Sequence, residues 1–400
     1  MSLLKVTALF CLALSSASAA EGLPRVFLLD GQSLVDTRAR VQAGDSAFTV
    51  PIAALRTAAD AALTAGPFSV MDKPFTPPSG DKHDYMSVGP YWWPDPTKKD
   101  GLPYINKDGE VNPDRNKYDN VGLGSMARNA TLLAQAYWFT GEEKYAERAA
   151  LLVRVWFLDE ATRMNPNLKY GQAVPGRSEG RGIGIIDTAG LADFLDSIGL
   201  LAGSKSWTGS DQAGLVQWFK EYTNWLTTHP YGIAESQEKN NHGTWYDVQV
   251  ATFALFTGDE ALAKKVLSEV GSKRIAAQIE PDGGQPLELR RTNSYNYSVM
   301  NLRAFFNLAR LGEHTGVDLW HFQTEDGRSI RKALDYILNH AFGSEKWAYK
   351  NLKPIAPKVI LPMTWRAARV YKDGEYAQWQ TKIGKDQWPS GADVLLFPIP

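Results

Sequence analysis

Cysteine is nearly absent: the 400 residues contain one, Cys11. It lies in an N-terminal stretch that reads as an export signal. Lys5 supplies a short positive region, Val6 to Leu14 an apolar run, and Ala17, Ser18, Ala19 and Ala20 a small-residue cleavage site. A mature chain starting near Ala20 or Glu21, in the periplasm or the medium, then has no thiol. Disulfides, thiolate catalysis and cysteine metal sites are excluded together. Phe10, directly before Cys11, does not suit a lipoprotein box. An excess of charge of one sign is missing as well. With Lys+Arg 43 against Asp+Glu 44 there is no global field to draw nucleic acid or an anionic membrane surface. The apolar run of the signal is too short to span a bilayer, and nothing after it reads as transmembrane. The six histidines (His83, His229, His242, His314, His321 and His340) form no helical metal-ligand pair, and no glycine-rich phosphate loop precedes a helix with a lysine. Neither metal nor cofactor is expected, and no nucleic-acid, membrane or obligate protein partner.

The chain is rich in aromatic rings, with 13 Trp and 16 Tyr. Such rings make platforms on which sugars stack, although most are expected to fill the core. About 380 mature residues bury a core comfortably. The expected organisation is a signal over residues 1–20 and one domain over 21–400. Val26 to Leu29 reads as a short strand and Val50 to Ala65 as a helix. From Gly66 to about Val121 the chain turns to proline, glycine, aromatic and charged residues with little periodicity. A loop of that length inside a compact protein is either functional or disordered, and its aromatic content argues against disorder.

Helical periodicity then returns in succession: Met126 to Phe139, Glu142 to Trp156, Thr188 to Leu201, Asp211 to Thr228, Trp245 to Phe256, Glu260 to Val270, Tyr297 to Leu311, Arg328 to Ala341 and Pro362 to Tyr371. The turns Phe139-Thr140-Gly141-Glu142-Glu143 and Phe256-Thr257-Gly258-Asp259-Glu260 resemble each other, with glycine suited to a left-handed helix end and acids to the start of the next helix. Asp393 to Phe397 reads as a strand and a minor β element. The pattern is all-α. Repeated antiparallel helix pairs build a superhelical solenoid or close into a toroid. Uneven pair lengths, with the motifs in irregular loops between pairs, favour closure: an incomplete α/α toroid whose loops line one cleft.

Two segments carry chemistry. In Lys239-Asn240-Asn241-His242-Gly243-Thr244-Trp245, Thr244 and Asp247 have the spacing of a capping box. That places Asn240, Asn241 and His242 just before a helix start, where backbone donors and the helix dipole favour an anion. The structural alternative is that one asparagine caps and His242 packs. The second segment, Leu287 to Phe305, carries Arg290, Arg291, Asn293, Tyr295, Asn296 and Tyr297 ahead of an amphipathic helix. Taken together they suit an acidic sugar chain. A uronate needs a fork of donors on its carboxylate, which arginine supplies. Cleavage of a 1,4-linked uronan removes the weakly acidic C5 proton and expels the C4 oxygen, so the carboxylate must be neutralised while an acid and a base work nearby. A phenol, with a reference pKa of about 10, serves as base only if a cation lowers it, and Arg290 with a protonated His242 is expected to do this for Tyr297. Where proton and leaving oxygen share a face, as in mannuronate or glucuronate, one tyrosinate can serve both; in guluronate they are on opposite faces and His242 is the natural base. Tyr295 competes with Tyr297 for the role of proton carrier.

The chain resembles the alginate lyase superfamily of α/α-toroid enzymes in KNNHGTW (Lys239 to Trp245), in the pairing of Arg290 with Tyr297, and in YMSVGPYWWPDP (Tyr85 to Pro96). The resemblance covers most of the mature chain. Similarity to polysaccharide lyase family five implies that Asn241 and Arg290 hold the carboxylate, His242 assists and Tyr297 carries the proton. The long GPYWWPDP loop and Met164 to Gly182 are closer to family thirty-eight, which includes glucuronan and alginate lyases. The expected substrate is therefore alginate, with glucuronan second. Expected binding residues are His83, Tyr85, Ser87, Tyr91, Trp92, Trp93, Arg177, Arg181, Lys239, Asn240, Trp245, Arg291 and Tyr295, and Asp187 or Thr188 is expected to cap the helix after the Arg177–Arg181 loop. Two other readings compete with a lyase. A glycoside hydrolase would use two carboxylates from Asp95, Glu179 and Asp187, and a non-catalytic glycan binder would keep Trp92 and Trp93 but need no proton carrier.

Overall fold

A computed structural model describes residues 22–383 and 392–398. The expected signal over residues 1–20 lies outside them. The helices are α1 (Gly31–Gln42), α2 (Thr49–Ala62), α3 (Asp119–Thr140), α4 (Glu143–Phe157), α5 (Leu191–Leu200), α6 (Gly209–Thr228), α7 (Pro230–Ser236) and α8 (Asn241–Thr257), followed by α9 (Glu260–Val270), α10 (Ala276–Gln278), α11 (Pro286–Leu289), α12 (Ser294–Thr315), α13 (Ile330–Phe342), α14 (Leu361–Tyr371), α15 (Gly374–Lys382) and α16 (Ala392–Leu396). Strands are few and short: β1 (Met86–Val88) runs parallel to β4 (Tyr170–Ala173), and β2 (Trp92–Trp93) pairs antiparallel with β3 (Ile105–Asn106). The architecture is the expected incomplete α/α toroid.

Helices wrap around α8 and α12. Helix α8 packs on α5, α6, α9 and α12, and α12 packs on α8, α9, α11 and α13, while α3 joins α2, α4 and α5 across the ring. In α8 every residue but His242 and Thr257 is buried. A helix buried all round belongs in the middle of a protein, and its amphipathic neighbours each turn one stripe towards it. The two similar turns behave as read: Gly141 and Gly258 take left-handed φ of 72° and 84° at the C-caps of α3 and α8, closing the hairpins α3–α4 and α8–α9. A π-helical stretch over Gly271–Ile275 joins α9 to α10.

Two expectations are corrected. Val26 to Leu29 is not a strand: the amides of Phe27, Leu28 and Leu29 donate to the buried Asp196 carboxylate at 2.5, 2.9 and 2.6 Å. Asp196 does for this strap what a neighbouring strand would have done. Asp393 to Phe397 forms the helical turn of α16, closed by the Phe397 amide on the Asp393 carbonyl at 2.8 Å. No helix among the described residues is long and apolar enough to cross a membrane.

Candidate active site

The helix bearing Asn241 and His242 starts earlier than the Thr244–Asp247 spacing implied. Asn240 is extended (φ −124°, ψ −163°) and its side chain accepts from the His242 amide at 3.1 Å, so Asn240 is the N-cap and Asn241 the first helical residue. Asparagine ranks above threonine as a cap. Thr244 instead donates to Gln278 Oε1 at 3.0 Å, and Asp247 binds Arg274 Nε at 2.7 Å. Arg274, itself buried, also donates to the carbonyls of Glu238 (2.6 Å) and Ser236 (2.8 Å), which staples the loop before α8 to the helix. Gly243 makes room for this: a Cβ there would run into the Glu238 carbonyl and the Arg274 guanidinium.

The Asn241–His242 dipeptide is backed by buried acids that the sequence did not mark. Glu288 takes both the backbone amide (2.7 Å) and Nδ2 (2.8 Å) of Asn241. Glu235, on α7, lies 2.8 Å from His242 Nδ1, so Nε2 is the ring nitrogen left to a ligand. Burial pushes both glutamates above the ordinary carboxylate value, against the pull of these hydrogen bonds.

On the facing segment the arginine assignment changes. Arg290, at the C-cap of α11, is exposed. The guanidinium that faces the phenol belongs to Arg291, 3.7 Å from the Tyr297 ring centroid and bonded to Asp108 at 2.7 Å. Tyr297, in the first turn of α12, places its hydroxyl 2.6 Å from that of Tyr91. Burial, then the hydrogen bond with Tyr91, push the Tyr297 phenol well above its usual value, and Arg291 pulls it back. The expectation that Arg290 and His242 lower it is therefore corrected. Glu288 joins the two segments: its carboxylate holds Asn241, and its carbonyl accepts from the Arg291 amide at 3.0 Å. Tyr295 is committed to the interior: it is fully buried, donates to the Ala356 carbonyl at 2.9 Å, and packs edge-on against Phe342 and Trp347.

The aromatic arm behind Tyr91 is built in. Arg177 (5.3 Å) and Arg181 (5.7 Å) both lie over the Trp92 ring, and Trp93 donates to the Glu110 carbonyl at 2.9 Å with Lys107 over its ring. Asp108 ties the same arm to Arg291 and Thr292. Tyr85 and Ser87 do not face a ligand. Both are buried and donate to Asp187 Oδ2, at 3.0 and 2.6 Å, while Gln172 Nε2 holds Oδ1 at 2.9 Å. With both oxygens occupied, Asp187 is poorly placed for hydrolase chemistry. It does not cap α5 either, nor does Thr188: both end a 3-10 helix over Gly182–Thr188, and Gly190 is the N-cap. His83 is half-buried with Nδ1 2.6 Å from the Arg163 carbonyl, and Lys239 is exposed.

Trp245, expected to bind substrate, is buried with Arg303 over its ring at 5.6 Å. It borders a cavity of about 570 Å³ that Thr131, Gln135, Asp193, Asn296 and Arg303 also line. Asn241, His242, Arg290 and Tyr297 are not in its wall, but Trp245 is one helical turn beyond Asn241 and Asn296 adjoins Tyr297.

A model of the alginate lyase family matches residues 69–347. Among curated proteins no match is found. Of solved structures, the crystal structure of an alginate lyase from Bacteroides ovatus is similar with a TM-score of 0.90 and 38% identity, over 94% of this chain and 100% of that one. Two variants of alginate lyase A1-III complexed with tetrasaccharide, one histidine-to-alanine and one tyrosine-to-phenylalanine, share the fold with TM-scores of 0.61 and 0.57. Their identities are 16% and 15%, over 95% of this chain and 98% of theirs. By family model and full-length similarity, this chain belongs to the alginate lyase family and is a polysaccharide lyase.

Proposed function

We propose that the protein cleaves 1,4-linked polyuronate, first of all mannuronate-containing alginate, by β-elimination without a metal. The observation that carries the reading is the Tyr297 phenol beneath the Arg291 guanidinium, with Glu288, whose carboxylate holds Asn241 and whose carbonyl accepts from the Arg291 amide, linking that segment to Asn241 and His242. Asn241 and Arg290 take the substrate carboxylate and, with His242, neutralise charge that would otherwise build on it. Tyr297, as tyrosinate, removes the C5 proton. The C4–C5 double bond forms as the C4–O4 bond breaks, and the proton passes from Tyr297 to the departing oxygen. Arg291 offsets part of the cost of forming the tyrosinate. One phenol suffices for mannuronate and equally for glucuronate, so glucuronan is the second substrate on the same stereochemical ground.

Incubation with poly-mannuronate, poly-guluronate and polyglucuronate, followed near ~235 nm where a double bond conjugated with a carboxylate absorbs, tests the reading. Absorbance should rise fastest on poly-mannuronate, persist after dialysis against EDTA, and vanish in Tyr297→Phe while polymer binding survives. Cleavage without absorbance, or an unaffected Tyr297→Phe rate, refutes it. Export with removal of residues 1–20, leaving one catalytic domain over 21–400, is part of the proposal, and N-terminal sequencing of secreted protein checks it.

A further inference from the structure

Resting on the lyase reading above, we infer that Glu235 is a positioning residue that fixes the His242 imidazole with its proton on Nδ1 and presents Nε2 to the sugar. The geometry is specific. Glu235 Oε1 lies 2.8 Å from Nδ1, Glu235 is 1% exposed, and its carrier helix α7 packs against α8. Such a carboxylate contact selects one of two tautomers and prevents the ring from turning, which the imidazole of an enzyme needs whether it gives or receives a proton.

A purely structural role accounts poorly for this carboxylate. Its other oxygen, Oε2, is buried with no partner among the described residues. Burying a carboxylate that makes a single side-chain hydrogen bond is expensive, and an apolar or amide side chain of similar size would suit the fold better. Glu288 shows the contrast: both its oxygens are used, on Asn241. Glu235 spends its one bond on Nδ1 of His242, which leaves Nε2 free for the sugar. That arrangement matters most for substrates whose proton and leaving oxygen lie on opposite faces, where the second nitrogen must accept the C5 proton and Tyr297 must protonate the leaving oxygen. With a same-face substrate it favours the imidazolium, whose Nε2–H is then directed at the carboxylate.

A double-mutant cycle tests this. Glu235→Gln should lower kcat at least about tenfold with KM nearly unchanged, as loss of an orienting partner does, and Glu235→Asp should recover part of it. In a His242→Ala background Glu235→Gln should cost nothing further. Equal losses in both backgrounds, or no loss in the first, overturn the inference. If Glu235→Gln does not fold, nitrogen-15 NMR of His242 in folded Tyr297→Phe decides: a proton on Nδ1 is expected, and an imidazole protonated on Nε2 alone overturns it. Failure of wild type to cleave any uronan would count against the lyase reading and leave the NMR result to judge Glu235.

Discussion

Replacing Arg291 by alanine should slow the enzyme through the acidity of Tyr297. The guanidinium carbon is 3.7 Å from the ring centroid. Two unit charges about 4 Å apart interact by about 4 kcal/mol at an effective dielectric constant of about 20. Asp108, bonded to Arg291 at 2.7 Å, opposes this and raises the phenol. Allowing the acid to cancel about half leaves about 2 kcal/mol, equivalent to about 1.5 pKa units and about 30-fold in rate below the phenol's titration. The sign follows directly. Without the cation the phenol titrates higher, so the rising alkaline limb of kcat for Arg291→Ala moves up in pH. Asp108→Asn removes the opposing anion, and its limb moves down. Arg290→Ala, by contrast, should raise KM and leave the limb in place. Initial rates on poly-mannuronate across pH are the assay. An unmoved limb in Arg291→Ala, or a shift carried by Arg290→Ala instead, refutes the assignment.

Other perturbations test the scaffold beneath the site. Arg274→Ala strands Asp247, where both side chains are nearly inaccessible at 2% and 3%, and should cost about 3–5 kcal/mol in urea unfolding; Arg274→Met with Asp247→Leu should regain most of it. Gly243→Ala should destabilise by about 1–3 kcal/mol, because a methyl group must displace the same arginine or the Glu238 carbonyl; an unchanged Tm would show that the loop yields freely. The Asp211 carboxyl, gripped by Arg154 at 2.7 Å, is pushed down to about 2. A depressed carboxyl contributes stability that is complete above its unfolded value of about 4 and fades as pH falls towards about 2. After allowance for solvent screening the contribution is roughly 1 kcal/mol. Asp211→Asn should remove it, leaving a flatter stability profile across that window.

The helices were legible because amphipathic periodicity survives wherever one face meets a core, and both glycine-capped turns formed where the sequence placed them. Helices α1, α7 and α15 escaped notice, although Asp30, His229 before Pro230, and Asp373 are caps that a closer reading of helix starts could have used. The start of α8 was misplaced because a local spacing imitated a capping box whose acid is claimed by Arg274, 27 residues away. Such long-range claims leave no local trace. The same holds for Glu235 and Glu288, single acids in ordinary helical contexts, and for Arg291, whose advantage over Arg290 depends on Asp108 arriving from a distant arm. Tyr85 and Ser87 misled in the opposite direction. A polar residue in an aromatic loop suggests a ligand contact until the buried partner, Asp187, is known.

Gln172 has a backbone φ of 48°, a left-handed value that glycine adopts freely and other residues seldom do. Glycine at this place would relax the chain by about 1 kcal/mol. It would also delete the amide that grips Asp187 and receives Arg181, and a lost hydrogen bond to a charged group outweighs that gain at about 1.5–3 kcal/mol. Asparagine tolerates the angle but is a methylene too short to span the gap. A saturation library at position 172 should therefore rank the residue with the easiest conformation among the losers.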